Sequence, residues 1–284
     1  MEWLNFIIEP LSYPFMQRAI IVSVTTGFVC AVLSCFLVLK GWSLMGDAIS
    51  HAVLPGIVLA YLGSIPIIIG AFASGFLCSL ATGYIKENCR VKEDTVMGIV
   101  YSGMFAFGLV LFSKVDTEQH LNHILFGSVL GTTHSELIQI LIIGIIVSVI
   151  VLTKRKDLML FCFDPVQAKV VGLPVRLLHY GLLTFLALTI VASLQAVGVI
   201  LVIAMLIAPG IIAFLLSKRF DRMLIIAVIV SIASCISGTL ISYHFSASTS
   251  ACIVLIQAVI FIFAQAYRLL VNHYQSEINR KAHL

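Results

Sequence analysis

Charge is what this sequence has least of. Only 11% of its 284 residues are Asp, Glu, Lys or Arg, while 61% are hydrophobic and the mean hydropathy is +1.12. A soluble domain carries about 25% charged residues, so a water-soluble globular class is excluded. The apolar runs also lack the period-two alternation of barrel strands, which leaves helices as the spanning element. No basic block stands out: the net charge of +4 is dispersed over short connections, and nucleic acid is not an expected partner. The seven cysteines show no CxxC or Cys/His spacing, and Cys30, Cys35, Cys78, Cys235 and Cys252 fall inside apolar runs. They read as small core hydrophobes, not as a disulfide framework. The opening "MEWLNFIIEPLSYPF" has two acids where a secretory signal needs basic residues, so no cleavage is expected. Neither a GxxxxGK[ST] phosphate loop nor an HExxH metal motif occurs, which removes the simplest routes to nucleotide or peptide hydrolysis.

What remains is a succession of apolar segments near 17–39, 44–61, 66–85, 94–113, 134–152, 177–194, 197–216, 223–242 and 250–270. Each is close to the ~20 residues that cross ~30 Å of hydrocarbon at 1.5 Å per residue. The expected fold is all-α, a polytopic transmembrane bundle of eight or nine spans. The count turns on Gln195 to Gly198, where either a hairpin or a break within one irregular helix fits. The stretch 115–133 is too polar to span and suits a short surface or re-entrant helix. No internal repeat or separately folding appendage is apparent, so residues 1–284 read as a single transmembrane helical domain. With nine crossings and an outside N-terminus, every Lys and Arg except Arg18 and Lys114 falls on the inner side. That asymmetry predicts a cytoplasmic C-terminus.

Within "SLMGDAISHAVLPG", Ser43 to Gly56, Asp47 and His51 interrupt an apolar run. Four residues apart on a helix, they share one face with Cβ atoms about 5–6 Å apart, near enough to hold one ion. Carboxylate plus imidazole suits Mn, Zn or Fe(II), and the lack of thiolates argues against Cu(I). Protonated imidazole cannot coordinate, so binding by this pair should depend on pH. Pro55 cannot donate to the His51 carbonyl, and Pro55 with Gly56 predicts a helix break beside the pair, at a substrate path. The structural alternatives are Asp47 as the N-cap of a helix starting at Ala48, and His51 bonded to a neighbouring helix. Two ligands are too few for a specific divalent site. A two-fold dimer would supply the other half, and a homodimeric pathway is expected. His120 and His123, with Asp116 and Glu118, suit a solvated loop better than a site. His134, His179 and His244 lie near span ends, and His273 and His283 in the polar tail.

Between the fifth and sixth spans, "FDPVQAKVVGLPV" is fully punctuated: Asp164 as N-cap, Pro165 first in the helix, Gln167 as capping-box partner, Gly172 as stop and Pro174 as exit. This predicts a two-turn helix over 164–172 that presents Phe163, Val166 and Val170 to a partner's groove or to lipid headgroups.

These segments, with "EDTVMGIVYSGMFAFGLVL", "HILFGSVLG" and "QAVGVILVIAMLIAPG", resemble in order the membrane permeases of bacterial metal-ion ABC importers of the manganese, zinc and iron class, over roughly residues 15–270. The resemblance implies a bacterial cytoplasmic-membrane complex of two permease copies, two cytoplasmic ATPase subunits and an extracytoplasmic metal-binding protein. It implies metal passage at Asp47 and His51 and ATPase contact at the "FDP" helix, Phe163 to Gly172. The expected cargo is Mn²⁺, with Zn²⁺ or Fe²⁺ as alternatives, and no permanently bound cofactor. Nothing is carried over from "YHFSASTSACIVL", which departs from the family pattern. Two rival functions stand: a permease for an iron chelate or cobalamin, which would need a wider path without clustered ligands, and an intramembrane metal-dependent enzyme, which would need a further water-activating acid.

Overall fold

The computed structural model describes residues 9–42, 44–91, 93–113 and 129–282. Among the described residues there are helices and no strands, and nine helical segments are long and apolar enough to cross a membrane. In chain order the helices are α1 (Pro14–Lys40), α2 (Met45–Ala52), α3 (Leu54–Leu62), α4 (Ile67–Asn88), α5 (Glu93–Phe112), α6 (His134–Thr153), α7 (Arg155–Phe163), α8 (Pro165–Val170), α9 (Val175–Val197), α10 (Val199–Leu216), α11 (Phe220–Phe245) and α12 (Thr249–Ala282). The second crossing, Met45–Leu62, is made of α2 and α3 together, and α7 and α8 lie outside the nine candidate spans.

α1 is the axis of the bundle. It packs against α10, α11 and α6, while α12 covers α10 and α11. α2 to α5 form a second group, tied to the first through α9 and through α10 against α2. The approach at the axis is close because small residues meet: a Cβ added at Gly210 of α10 would stand 2.4 Å from Ser34 Oγ of α1. Ser34 uses that proximity. Its hydroxyl donates to the Ile207 carbonyl at 3.2 Å and accepts from the Gly210 N–H at 3.0 Å, across the turn that Pro209 opens in α10. Such cross-helix bonds are the usual means of satisfying backbone freed by a proline at membrane depth.

The one-residue joint at Gly198, φ +81° and ψ 163°, separates α9 from α10 as two distinct spans. Only glycine adopts that backbone readily. α6 begins with a capping box that the hydropathy pattern did not suggest: the Thr133 hydroxyl accepts from the Glu136 N–H and the Glu136 carboxylate from the Thr133 N–H. The connection from the fifth to the sixth span is not a plain loop, since α7 occupies its first half and buries Leu158, Phe161 and Cys162 at i, i+3, i+4 spacing. The Lys40 ammonium lies 4.3 Å from the Phe161 ring centroid, tying α7 to the end of α1. Burial pushes the Cys162 thiol up to about 12, with Lys40 pulling weakly the other way. The segment 114–128, which includes His120, His123, Asp116 and Glu118, lies outside the described residues, as does His283.

Candidate metal path at the second span

α2 begins at Met45, one turn earlier than a helix capped by Asp47 would. Leu44 holds the N-cap position and no side chain caps it, so Asp47 sits inside the first turn and does not cap. Its carboxylate turns to the next turn instead: Asp47 Oδ1 is 3.3 Å from His51 Nε2. Two donors held about 2.0–2.2 Å from one ion, at right-angled to tetrahedral geometry, stand roughly 3–3.5 Å apart. The pair is therefore spaced like adjacent ligands of a single cation.

Exposure separates the pair from everything around it. Between Met45 and Val58 every residue is buried except Asp47 and His51, whose side chains are each 33% accessible. The helix thus offers its two ionisable side chains, and no apolar one, at an open edge. α5 supplies the wall of that edge. The His51 ring stacks near Tyr101 at 6.3 Å between centroids and meets Phe105 edge-on at 5.1 Å. These two aromatics, 50 and 54 residues beyond His51 in sequence, carried no signal that would have linked them to the pair. Among the described residues no group of three or more His, Cys, Asp and Glu is positioned to hold a metal, so Asp47 and His51 stand there as a pair.

The helix break lies where the proline placed it. The helix is interrupted only at Val53, which keeps right-handed helical angles (φ −70°, ψ −25°), and Pro55 is the second residue of α3. Val53 also keeps both backbone bonds, its N–H donating to the Ile49 carbonyl and its carbonyl accepting from the Ile57 N–H, each at 3.1 Å. The Ser74 hydroxyl of α4 reaches across to donate to the Ala52 carbonyl at 2.6 Å, a cross-helix bond one residue beyond the His51 carbonyl that Pro55 cannot serve. Gly56 has a role the break alone did not suggest. An added Cβ there would stand 2.0 Å from the Gly70 carbonyl oxygen, and one at Gly70 would stand 2.3 Å from the Gly56 carbonyl oxygen. Two glycines thus let α3 and α4 touch backbone to backbone. Gly108 of α5 closes on Pro55 in the same way, at 2.9 Å.

The short helix α8 matches its punctuation at both ends, but it spans only Pro165–Val170 and Gln167 is no capping-box partner, because the Asp164 N–H donates to the Leu160 carbonyl at 2.8 Å. Asp164 Oδ1 accepts from the Val166 and Gln167 N–H groups, both at 2.9 Å, and Pro165 is the first helical residue. The far end is a Schellman turn: Gly172 at φ +87° donates to the Lys169 carbonyl and Leu173 to the Ala168 carbonyl. Ala168 points inward and is fully buried, whereas Phe163, Val166, Val170 and Val171 are 80%, 73%, 74% and 62% exposed. Four large apolar side chains on so short a segment make a surface unlike the rest of the connection.

The sequence profile of the ABC 3 transport family matches residues 12–268. A Yersinia pestis protein, "Chelated iron transport system membrane protein YfeD", is 65% identical over 277 residues, covering 98% of this chain and 92% of its own. The Synechocystis "Manganese transport system membrane protein MntB" is 55% identical over 260 residues, 92% of this chain and 85% of its own. Among solved structures, "PsaBC from Streptococcus pneumoniae in complex with Fab" superposes with a TM-score of 0.82 at 34% identity, covering 92% of this chain and 94% of that one.

Proposed function

The chain belongs to the ABC 3 transport family, a multi-pass permease of the cell membrane, and from that premise we propose that it conducts a divalent transition metal, Mn²⁺ first, between Asp47 and His51 of two copies. The observation that carries this reading is the opening of an otherwise buried helix at those two side chains alone. A carboxylate and an imidazole at ligand spacing would have no reason to face acyl chains, where an ionisable group is costly. Facing a second copy across a two-fold axis, they would complete a set of two oxygens and two nitrogens, with water filling any remaining positions.

The neighbouring face of α5 suits that contact. Ile99, Ser102, Gly103, Ala106 and Val110 are exposed, and small side chains at 102, 103 and 106 permit close helix packing. Affinity must stay moderate, because a conducting site has to release what it binds. Energy would come from partner ATPase subunits docked on Phe163, Val166 and Val170 of the α8 segment, with the metal delivered by a binding protein on the opposite face. The basic asymmetry puts that docking surface and the C-terminus in the cytoplasm.

Fe²⁺ is the second reading, favoured by the iron system named for the Yersinia pestis relative. A hard-to-intermediate oxygen and nitrogen set accepts either ion, so cargo is decided by measurement. Radiolabelled Mn²⁺, Fe²⁺ and Zn²⁺ uptake by cells carrying the complete transporter should show one preferred ion. Asp47→Ala and His51→Ala should each lower its uptake by about tenfold or more, the order associated with loss of metal-site residues. Wild-type uptake by both variants would remove the pair from the path.

A further inference from the structure

An apolar groove of about 360 Å³ opens beside the α6–α7 connection. Its floor is the first three turns of α9, with Leu178, Gly181, Leu182 and Phe185 among the lining residues, and its rim carries Lys154 and Asp157. The size falls within the ~300–1,000 Å³ of sites that enclose most of a small molecule. From this we propose that the groove is a binding site for an anionic phospholipid, taking an acyl segment along α9 and the phosphate at the basic rim.

Three observations point to that occupant. The groove joins an apolar trough at the end of two spans to a charged mouth, the division that a lipid has and a soluble metabolite lacks. Its wall is continuous with residues that face outward in the spans themselves, including Ile150 and Leu177, the latter 70% exposed. The charge around it is positive. Lys154 lines the groove, and Arg155, Lys156 and Arg176, the last two exposed, adjoin its lining residues in sequence. Lys154 pairs with Asp157 at 3.7 Å and Arg155 with Asp221 at 3.4 Å, while Lys156 and Arg176 have no ion pair among the described residues. Basic pockets between helix ends at the headgroup level are the general form of anionic-lipid sites, and lysine stems lie along apolar walls while their ammonium groups reach the interface. The groove also borders Leu173 and Pro174, where α8 leads into α9, so a bound lipid would wedge behind the α8 segment.

Gly181 allows a clean test, since an added Cβ meets no atom within 4 Å. Gly181→Phe should fill the groove without disturbing its walls. Native mass spectrometry of the purified full-length permease, titrated with phosphatidylglycerol or with phosphatidylcholine of the same chains, reads the occupant directly. Phosphatidylglycerol should bind about tenfold or more tightly than phosphatidylcholine, the order expected of two cations near an anionic phosphate. Gly181→Phe should abolish the tight class, and Lys156→Gln with Arg176→Gln should erase the preference while leaving acyl-driven binding. Equal binding of both lipids, or an unchanged preference in Gly181→Phe, overturns the assignment. So does loss of ATPase co-purification in Gly181→Phe with lipid binding intact, which would make the groove a protein seat. Asp47→Ala should bind lipid as the wild type does, which keeps this test separate from that of the metal path.

Discussion

Asp47 and His51 show how far single residues can be read. Their type and four-residue spacing announced a shared face, and the 3.3 Å approach follows from helix geometry. Their surroundings did not announce themselves, because Tyr101 and Phe105 reach His51 only through the packing of α5. Gly56 was legible as a breaker, but its closeness to Gly70 depends on how two helices cross, which no local pattern encodes. That contact makes a prediction. Gly56→Val puts side-chain atoms into a space already 2.0 Å from a carbonyl oxygen, so α3 and α4 must part. Overpacking of this kind costs about 1–3 kcal/mol or more. The melting temperature of the detergent-solubilised protein should fall clearly and transport with it. Gly98→Ala, where an added Cβ meets nothing within 4 Å, should leave the melting temperature unchanged; an equal fall in both variants would count against the tight contact.

Elements were the most legible scale where hydropathy alone decides. The spans near 134–152 and 197–216 recur almost unchanged as His134–Thr153 and Val199–Leu216, because a bilayer asks only for length and apolarity. Short amphipathic pieces were harder. α7 begins with Arg155, Lys156 and Asp157 and looks like loop until its buried face is seen against α1. The Thr133 capping box is written as T-x-x-E, but it lies at the edge of a polar stretch where such a pattern does not stand out from its neighbours. α8 was legible at its Asp164 cap and its Gly172 stop, since caps are local chemistry, whereas the capping box expected of Gln167 fails because α7 already supplies an acceptor, the Leu160 carbonyl, to the Asp164 N–H. Its exposed apolar surface depends on that cap. Asp164→Ala removes both N–H acceptors, worth about 1 kcal/mol, a large share of what orders six residues. Membrane insertion and melting of the whole protein should hardly change, while co-purification of the ATPase subunit should drop several-fold if α8 is its seat. Full retention of the ATPase by Asp164→Ala, Phe163→Ala and Val166→Ala alike would assign that surface to lipid headgroups.

The whole molecule is where chemistry in one chain stops short. No run of residues states how many copies assemble, but the proposed ligand pair, with no third such group beside it among the described residues, argues for a second copy, as does the exposed small-residue face of α5. Cysteine introduced at Ser102 or Ala106 should form an intermolecular disulfide on mild oxidation in membranes. Cysteine at Ile145 of α6, which is 60% exposed but remote from the pair, should not. The opposite pattern would move the two-fold axis to another face and leave the ligand pair unmatched.

The partial exposure of Asp47 and His51 has a further consequence for a protomer on its own. A single copy in the bilayer would hold a carboxylate and an imidazole against hydrocarbon or drag water in beside them, at a cost of kilocalories. Association of the proposed kind would remove that cost, so the residues proposed to hold the cargo would also penalise the orphan subunit. Replacing Asp47 with Leu should then abolish transport while making the isolated chain more comfortable in lipid: assembly quality control and conduction would be written into the same two side chains.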